Sequence, residues 1–303
     1  MASLVLPLRG QVRARALKLR AYLALTKPRI IELLLVTTVP TMVLAARGLP
    51  SGWLVLETLI GGSLAAGGAN AYNMYFDRDI DKVMGRTQKR PLVTGEISPS
   101  AALVFATVIE LAAFVELWLG VNLLSAVLAV SATAFYVGVY TLWLKRSSSQ
   151  NIVIGGAAGA VPVLVGWAAV TDRLAWPAVL LFAVVFVWTP PHFWALAVRY
   201  REDYASVKVP MLPAVTSLEK TARQIVAYTV VLCVVTLVFA WVADMGPVYI
   251  ATAAVMGAVF VYKGLRLRRE LTAKAAMKVF GYSIFYLFVL FASVAVDVIV
   301  RRY

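Results

Sequence analysis

Three side chains able to engage a cation recur at an interval of four: Asn73, Asp77 and Asp81, within NAYNMYFDRDIDKVMGRTQKRPLVTG. On a continuing helix this interval places all three along one stripe. Asp79 falls about 200° round from Asp77 and is expected to face elsewhere, towards Lys82. Arg86, Lys89 and Arg90 follow at once, so carboxylates and cations share one short segment. Magnesium takes oxygen ligands, keeps several waters, and is held by one or two carboxylates together with substrate phosphates. Arginine binds the remaining phosphate oxygens in bidentate fashion. Taken alone, the Asn/Asp spacing fits a solvated, salt-bridged helix end as well as it fits a metal site. The basic tail RT-x2-RPL favours the site, because surface ion pairs gain little from such density.

A second charged segment, RYREDYASVKVPMLP, carries Asp203, Tyr204 and Lys208. Asp203 is a candidate metal ligand alongside Asp77 and Asp81, as the holder of a second magnesium or of a water. Lys208 can meet a phosphate as a point charge, and Tyr204 and Lys89 join the substrate-binding candidates. Glu202 reads as a solvated neighbour, since adjacent helical positions point apart.

These segments are positioned by apolar runs. Hydrophobic residues make up 61% of the 303 positions and charged residues 15%, against about 25% charged in soluble domains. Nine runs near 30–46, 53–75, 101–119, 123–143, 152–170, 177–198, 225–242, 248–264 and 280–299 have the roughly 17–25 residues that cross a bilayer core. In hydrocarbon each backbone amide must be paired internally, so the runs are expected to be helices, and none alternates as barrel strands do. The expected fold is therefore an all-α integral membrane protein, one domain over 1–303, with a basic arm at 1–28 and the bundle at 29–303. Prolines 162, 190 and 191 are expected to kink or loosen their helices. Glycines 61, 62, 67 and 68 in the second run and 155, 156 and 159 in the fifth suggest close helix packing.

The net charge of +14 does not indicate nucleic acid, because the cations cluster at the ends of apolar runs. All but Arg47, Arg173, Arg301 and Arg302 of the 29 lysines and arginines fall on one side of the expected membrane. The positive-inside rule makes that side, with the N-terminus and both acidic segments, cytoplasmic. The membrane is a prokaryotic plasma membrane, or the mitochondrial inner membrane in a eukaryote. Two runs ending in the acidic segments are separated by an even number of crossings, so both segments share one face. The N-terminal stretch lacks the apolar core of a secretory signal and reads as a basic arm on the membrane surface. Lys27 and Arg29 read as orientation anchors. Cys233, the single cysteine, reads as a small buried hydrophobe.

The segments LTKPRI (25–30), NMYFDRDIDKVMGRTQKRPLVTGEISP (73–99), YTLWLKR (140–146), NIVIGGAAGAVPVLVGW (151–167), WTPPHFW (188–194) and DYASVKVPMLP (203–213) resemble those of the UbiA-type membrane prenyltransferases. The resemblance covers nearly the whole chain and is closest to the branch that farnesylates heme. It implies nine transmembrane helices around a central cavity, magnesium dependence, and an allylic diphosphate donor. For that branch it implies that farnesyl diphosphate and heme b, as substrates, give heme O. Asn73, Asp77 and Asp81 match the first acidic motif. Met74 and Val207 stand where quinone-branch members usually carry Asp, which favours the heme branch and weakens an independent second metal site. A quinone-precursor prenyltransferase is the alternative within the family. A transporter is the alternative outside it, although Glu32, Glu57, Glu110 and Glu116 show no shared pattern. Heme A synthase and terminal-oxidase assembly factors are candidate partners besides lipid.

His192, the single histidine, lies in an apolar run after two prolines. A neutral imidazole there can ligate heme iron, or can donate to a backbone carbonyl. Tyr136, Tyr140, Trp143, Trp167, Trp188 and Trp194 can stack on porphyrin or isoprenoid, or belong to packing and the interfacial belt. Tyr140 is counted among the substrate-binding candidates.

Overall fold

The computed structural model describes residues 17–302, with side chains for 17–28 and 36–301. Residues 1–16 of the basic arm and the side chain of Arg29 lie outside the described residues. Among the described residues the long helices are α1 (Pro28–Ala46), α2 (Gly52–Phe76), α3 (Pro99–Gly120), α4 (Leu123–Ser147), α5 (Asn151–Thr171), α6 (Trp176–Arg199), α7 (Leu218–Val242), α8 (Pro247–Glu270) and α9 (Ala273–Arg302). One stands at each expected span. Seven of them, α3–α9, are long and apolar enough to cross a membrane, which makes the chain a multi-pass membrane protein. The apolar part of α1 is the shorter Val36–Ala46, and α2 is diluted by glycines and asparagines.

Several helices outrun their expected spans, because an apolar run marks only the hydrocarbon-embedded part of a helix. Polar turns extend α7 back to Leu218 and α8 on to Glu270. Ser98, Asn122 and Ser217 cap α3, α4 and α7 by accepting the amides of Ala101, Ser125 and Lys220, each worth about 1 kcal/mol. The helix α6 runs on through Pro190 and Pro191.

Small residues set the seams at Gly61, Gly67, Gly68, Gly155 and Gly156, as expected, whereas Gly62 and Gly159 face open space and Gly166 joins the seams unforeseen. A Cβ on Gly61 would lie 2.5 Å from Leu117 Cγ, and one on Gly166 would lie 2.8 Å from the Thr38 carbonyl oxygen. These contacts lock α2 to α3 and α5 to α1. Across the α2–α3 seam a Cβ on Gly120 would lie 2.8 Å from Glu57 Oε2. The last part of the basic arm docks on the bundle. Residues 17–26 are helical, and Ala21 and Leu25 are buried in one cluster with Ala71, Met74 and Ala106, while Leu17, Leu19 and Leu23 stay exposed. The spacing of four between Ala21 and Leu25 makes the apolar edge that docks there.

The ends of α2, α4 and α6 meet at one face. Arg146, at the end of α4, reaches Asp79 beyond α2, and Arg86 after α2 reaches Tyr204 after α6. At the opposite face Asn122 bonds the Ala168 carbonyl and Asp297 receives the amide of Gly246. Both acidic segments therefore lie on one side of the bundle.

Candidate active site

The stripe of Asn73, Asp77 and Asp81 survives the end of α2. The Asp77 amide donates to the Asn73 carbonyl and the Asp81 amide to the Asp77 carbonyl, each at 2.9 Å. The short helix Arg78–Asp81 thus continues the register. All three side chains are buried, Asp77 completely. Asp79 is exposed and pairs with Arg146, not with Lys82, through bonds of 2.6 and 2.7 Å. Those bonds hold its carboxyl down at about 2.

Asn73 ties three elements of the site together. Its amide nitrogen donates to Asp77 Oδ2 at 2.7 Å and to Thr141 at 3.1 Å, while its oxygen accepts from Lys27 Nζ at 2.8 Å. Lys145 also donates to Asp77 Oδ2. The other oxygen, Asp77 Oδ1, is buried without a hydrogen-bond partner, and Arg146 stands 3.9 Å away. Asp81 Oδ2 accepts from Arg90 at 2.5 Å.

Two of these cations were hidden in the sequence. Lys27 sits in the left-handed region, φ 51°, at the start of α1, a conformation that costs about 1–2 kcal/mol outside glycine. That turn aims its ammonium at Asn73. Burial first, then Arg90 and Lys145, push it down to about 7. Lys145 and Arg146 are delivered by α4, whose Phe135–Leu144 stretch is wound as a π-helix. Such segments are rare and cluster at functional sites. Wider turns put Tyr136 over Tyr140, ring centroids 5.4 Å apart, with Thr141 and Lys145 facing α2. Gly155 makes room, since a Cβ there would collide with the Tyr140 ring.

The second segment closes the site through Tyr204, whose hydroxyl accepts from Arg86 Nη2 at 2.9 Å. Arg86 also lies over the rings of Tyr200 and Tyr204 at 5.4 and 5.1 Å. Burial pushes the Tyr204 phenol up, so its proton remains available to an acceptor. Asp203 approaches the first segment at Gly85, where a Cβ would lie 3.6 Å from its Oδ1. It does not join Asp77 and Asp81 in one ligand set. Among the described residues no three carboxylates, histidines or cysteines gather around a point, and Asp77 and Asp81 each pair with a cation. Lys89, Lys208 and Glu202 are exposed to solvent.

The donor set fits magnesium. The partnerless buried Asp77 Oδ1 and the Asp81 carboxylate are hard oxygens, and two carboxylates leave positions for water and phosphate. The cations Lys27, Arg86, Arg90 and Lys145 supply the opposite charge a diphosphate needs.

His192 is buried between Trp188 and Phe280, ring centroids at 4.3 and 4.7 Å. Its Nδ1 lies 2.7 Å from Ser283 Oγ, whose own proton goes to the Phe280 carbonyl at 2.6 Å. Ser283 can therefore only accept, so Nδ1 carries the ring proton and Nε2 keeps a lone pair. The partner is a hydroxyl, not the backbone carbonyl weighed from sequence.

The profile of the UbiA prenyltransferase family matches residues 34–291. The chain is 53% identical to the protoheme IX farnesyltransferase of Pseudarthrobacter chlorophenolicus over 93% of its length and 90% of the relative's. It is 53% identical to that of Frankia alni over 93% and 99%, and 54% identical to that of Clavibacter michiganensis over 93% of each. The fold resembles digeranylgeranylglyceryl phosphate synthase, with a TM-score of 0.77 at 19% identity over 93% of this chain and 99% of that one. It also resembles a UbiA homologue from Archaeoglobus fulgidus bound to GPP and Mg2+, with a TM-score of 0.63 at 15% identity over 90% and 99%.

Proposed function

Because the chain belongs to the UbiA prenyltransferase family, we propose that it transfers the farnesyl group of farnesyl diphosphate to a vinyl group of heme b, with addition of water, giving heme O and diphosphate. One observation carries the diphosphate end of this reading. Arg86 and Tyr204 join the two acidic segments beside buried Asp77 and Asp81, so anion-binding and cation-binding groups converge at one face.

Asp77 and Asp81 would hold magnesium, which when bound supplies Lewis acidity at the diphosphate. Arg86, Arg90, Lys145 and Lys27 stabilise the charge that grows on the diphosphate as its oxygen leaves C1 of the farnesyl chain with the bonding pair. Tyr204 gives its free proton to a phosphate oxygen as a hydrogen bond. Apolar walls exclude water from the allylic cation until the vinyl π electrons bond to C1. The cation left beside the porphyrin is delocalised into the macrocycle. Water adds there and releases a proton. Proteoliposomes given labelled farnesyl diphosphate and heme are expected to yield labelled heme O. Movement of either solute across the bilayer without product would assign the chain to the transporters instead.

In this reading His192 Nε2 would hold the heme iron, with Ser283 fixing the tautomer from the other nitrogen. His192→Ala is expected to shift the Soret band and axial-ligand signature of the heme-loaded protein, while farnesyl diphosphate binding stays within about twofold. Unchanged spectra with persistent farnesylation would reduce the residue to packing against Trp188.

The face carrying the site is the cytoplasmic face of a plasma membrane, by the distribution of lysine and arginine. On a Cys233→Ala background, cysteines at the exposed positions Gln88 and Glu219 are expected to react with an impermeant maleimide only after permeabilisation of cells. Labelling of the two from opposite sides would end the shared-face arrangement. Heme A synthase and oxidase assembly factors are the partners that would take up the product.

A further inference from the structure

The end of α6 and the start of α9 enclose a groove of about 540 Å³ lined by Arg199, Ala273, Lys274, Met277 and Lys278. Three of its five residues are cations, none is an acid, and Ala273 and Met277 give it an apolar wall. Among the described residues no carboxylate forms an ion pair with any of the three cations. Glu270 lies in the field of Lys274 and Lys278, but it is bonded to Arg266.

The seam beneath the groove leads to His192. On α6 the imidazole lies seven residues before Arg199, two turns or about 10 Å deeper. On α9, Phe280 and Ser283 follow Met277 and touch the same imidazole. To the side, Arg199 stands over the Tyr200 ring at 6.0 Å, and Arg86 of the diphosphate cluster stands over that ring at 5.4 Å. One aromatic ring therefore lies between the groove and the cations of the site.

We propose that this groove receives the two propionate carboxylates of the porphyrin, with Arg199, Lys274 and Lys278 as their counter-charges, and so dictates which edge of the macrocycle enters the bundle. The proposal rests on heme b being the acceptor. Heme b is amphiphilic, with both carboxylates on one edge and both vinyl groups on the opposite, hydrocarbon edge. Burying a carboxylate without a partner is costly, so the propionate edge must stay at a cationic, water-accessible rim. The apolar wall of Ala273 and Met277 accepts the ring that follows. The vinyl edge is then the one carried inward, at the level of His192 or beyond.

The test compares heme with heme dimethyl ester, whose carboxylates are masked, by Soret titration of the purified full-length protein in nanodiscs of neutral lipid. Wild type is expected to bind heme at least about tenfold more tightly than the ester, with the difference shrinking as salt rises. The variant Arg199→Gln/Lys274→Gln/Lys278→Gln is expected to lose that tenfold for heme and to bind the ester as wild type does. Its farnesyl diphosphate binding is expected to stay unchanged, which verifies that the variant is folded. Equal heme affinity in variant and wild type, with farnesylation intact, would overturn the groove assignment and leave the transferase reading standing. Loss of co-purified phosphatidylglycerol without loss of heme affinity would assign the groove to a lipid headgroup and overturn the proposal too. A wild-type protein that binds no heme would overturn both readings.

Discussion

Asp77→Asn is expected to lower farnesyl transfer by at least about 10²–10³-fold, the scale seen when one preorganised charge-stabilising group is removed from an active site. Asp77 is fully buried, receives Asn73 and Lys145 on Oδ2, and keeps Oδ1 free of any hydrogen bond. The amide of asparagine is nearly isosteric, so shape survives while the charge vanishes. That removes both the anionic carboxylate offered to a cation, leaving one neutral amide oxygen, and the counter-charge of Lys145. Breaking a buried pair by deleting one partner costs about 3–5 kcal/mol, so stability must be separated from catalysis. Asp77→Asn/Lys145→Met removes both charges and is expected to melt close to wild type while remaining inactive. Asp79→Asn is the contrast. Its bond to Arg146 is exposed to solvent, where such pairs contribute about 0–1 kcal/mol, and transfer is expected to fall less than about tenfold. An Asp79→Asn protein as inactive as Asp77→Asn would show that membership of the buried stripe does not decide function.

That contrast was legible in the sequence because it depends only on neighbours four residues apart, where helical geometry leaves little freedom. The gathering of both acidic segments on one face was legible for a similar reason, since it follows from counting crossings. The partners of the stripe were not. Lys145 and Arg146 are 68 and 67 residues from Asp77 and Asp79, and only the widened turns of Phe135–Leu144 carry them to the site. No pattern of residue types announces a π-helix of that length. Lys27 looked like one more basic residue flanking a span. Its role comes from a left-handed backbone angle that sequence does not reveal. Asp203 lies on the expected face, but face alone does not give distance, and among the described residues it forms no three-ligand group with Asp77 and Asp81. The histidine was recognisable as unusual, whereas its free nitrogen became visible only through a serine 91 residues away.

Arg90→Ala is expected to lower the turnover number by about 10²–10³-fold while raising KM for farnesyl diphosphate much less. Arg90 is bound to Asp81 Oδ2 at 2.5 Å through Nη1, and its side chain is 23% exposed. A guanidinium has five N–H donors, so the pairing with Asp81 leaves others for a phosphate oxygen. It is anchored on both sides. Its amide donates to the Thr87 carbonyl at 3.0 Å, and its carbonyl accepts from the amides of Val93 and Thr94 in the short helix Pro91–Thr94. A donor held that firmly needs little rearrangement when charge moves onto the leaving diphosphate, and the benefit is greatest at the transition state. Hence the loss belongs in the turnover number. Arg90→Lys keeps the charge but loses the planar fork, and it is expected to recover only part of the rate. Steady-state kinetics of the three proteins with saturating heme decide the matter. A rise in KM with turnover unchanged would mean that Arg90 binds substrate and transition state equally. Turnover above a tenth of wild type in Arg90→Ala would mean that Arg86, Lys27 and Lys145 neutralise the leaving group without it.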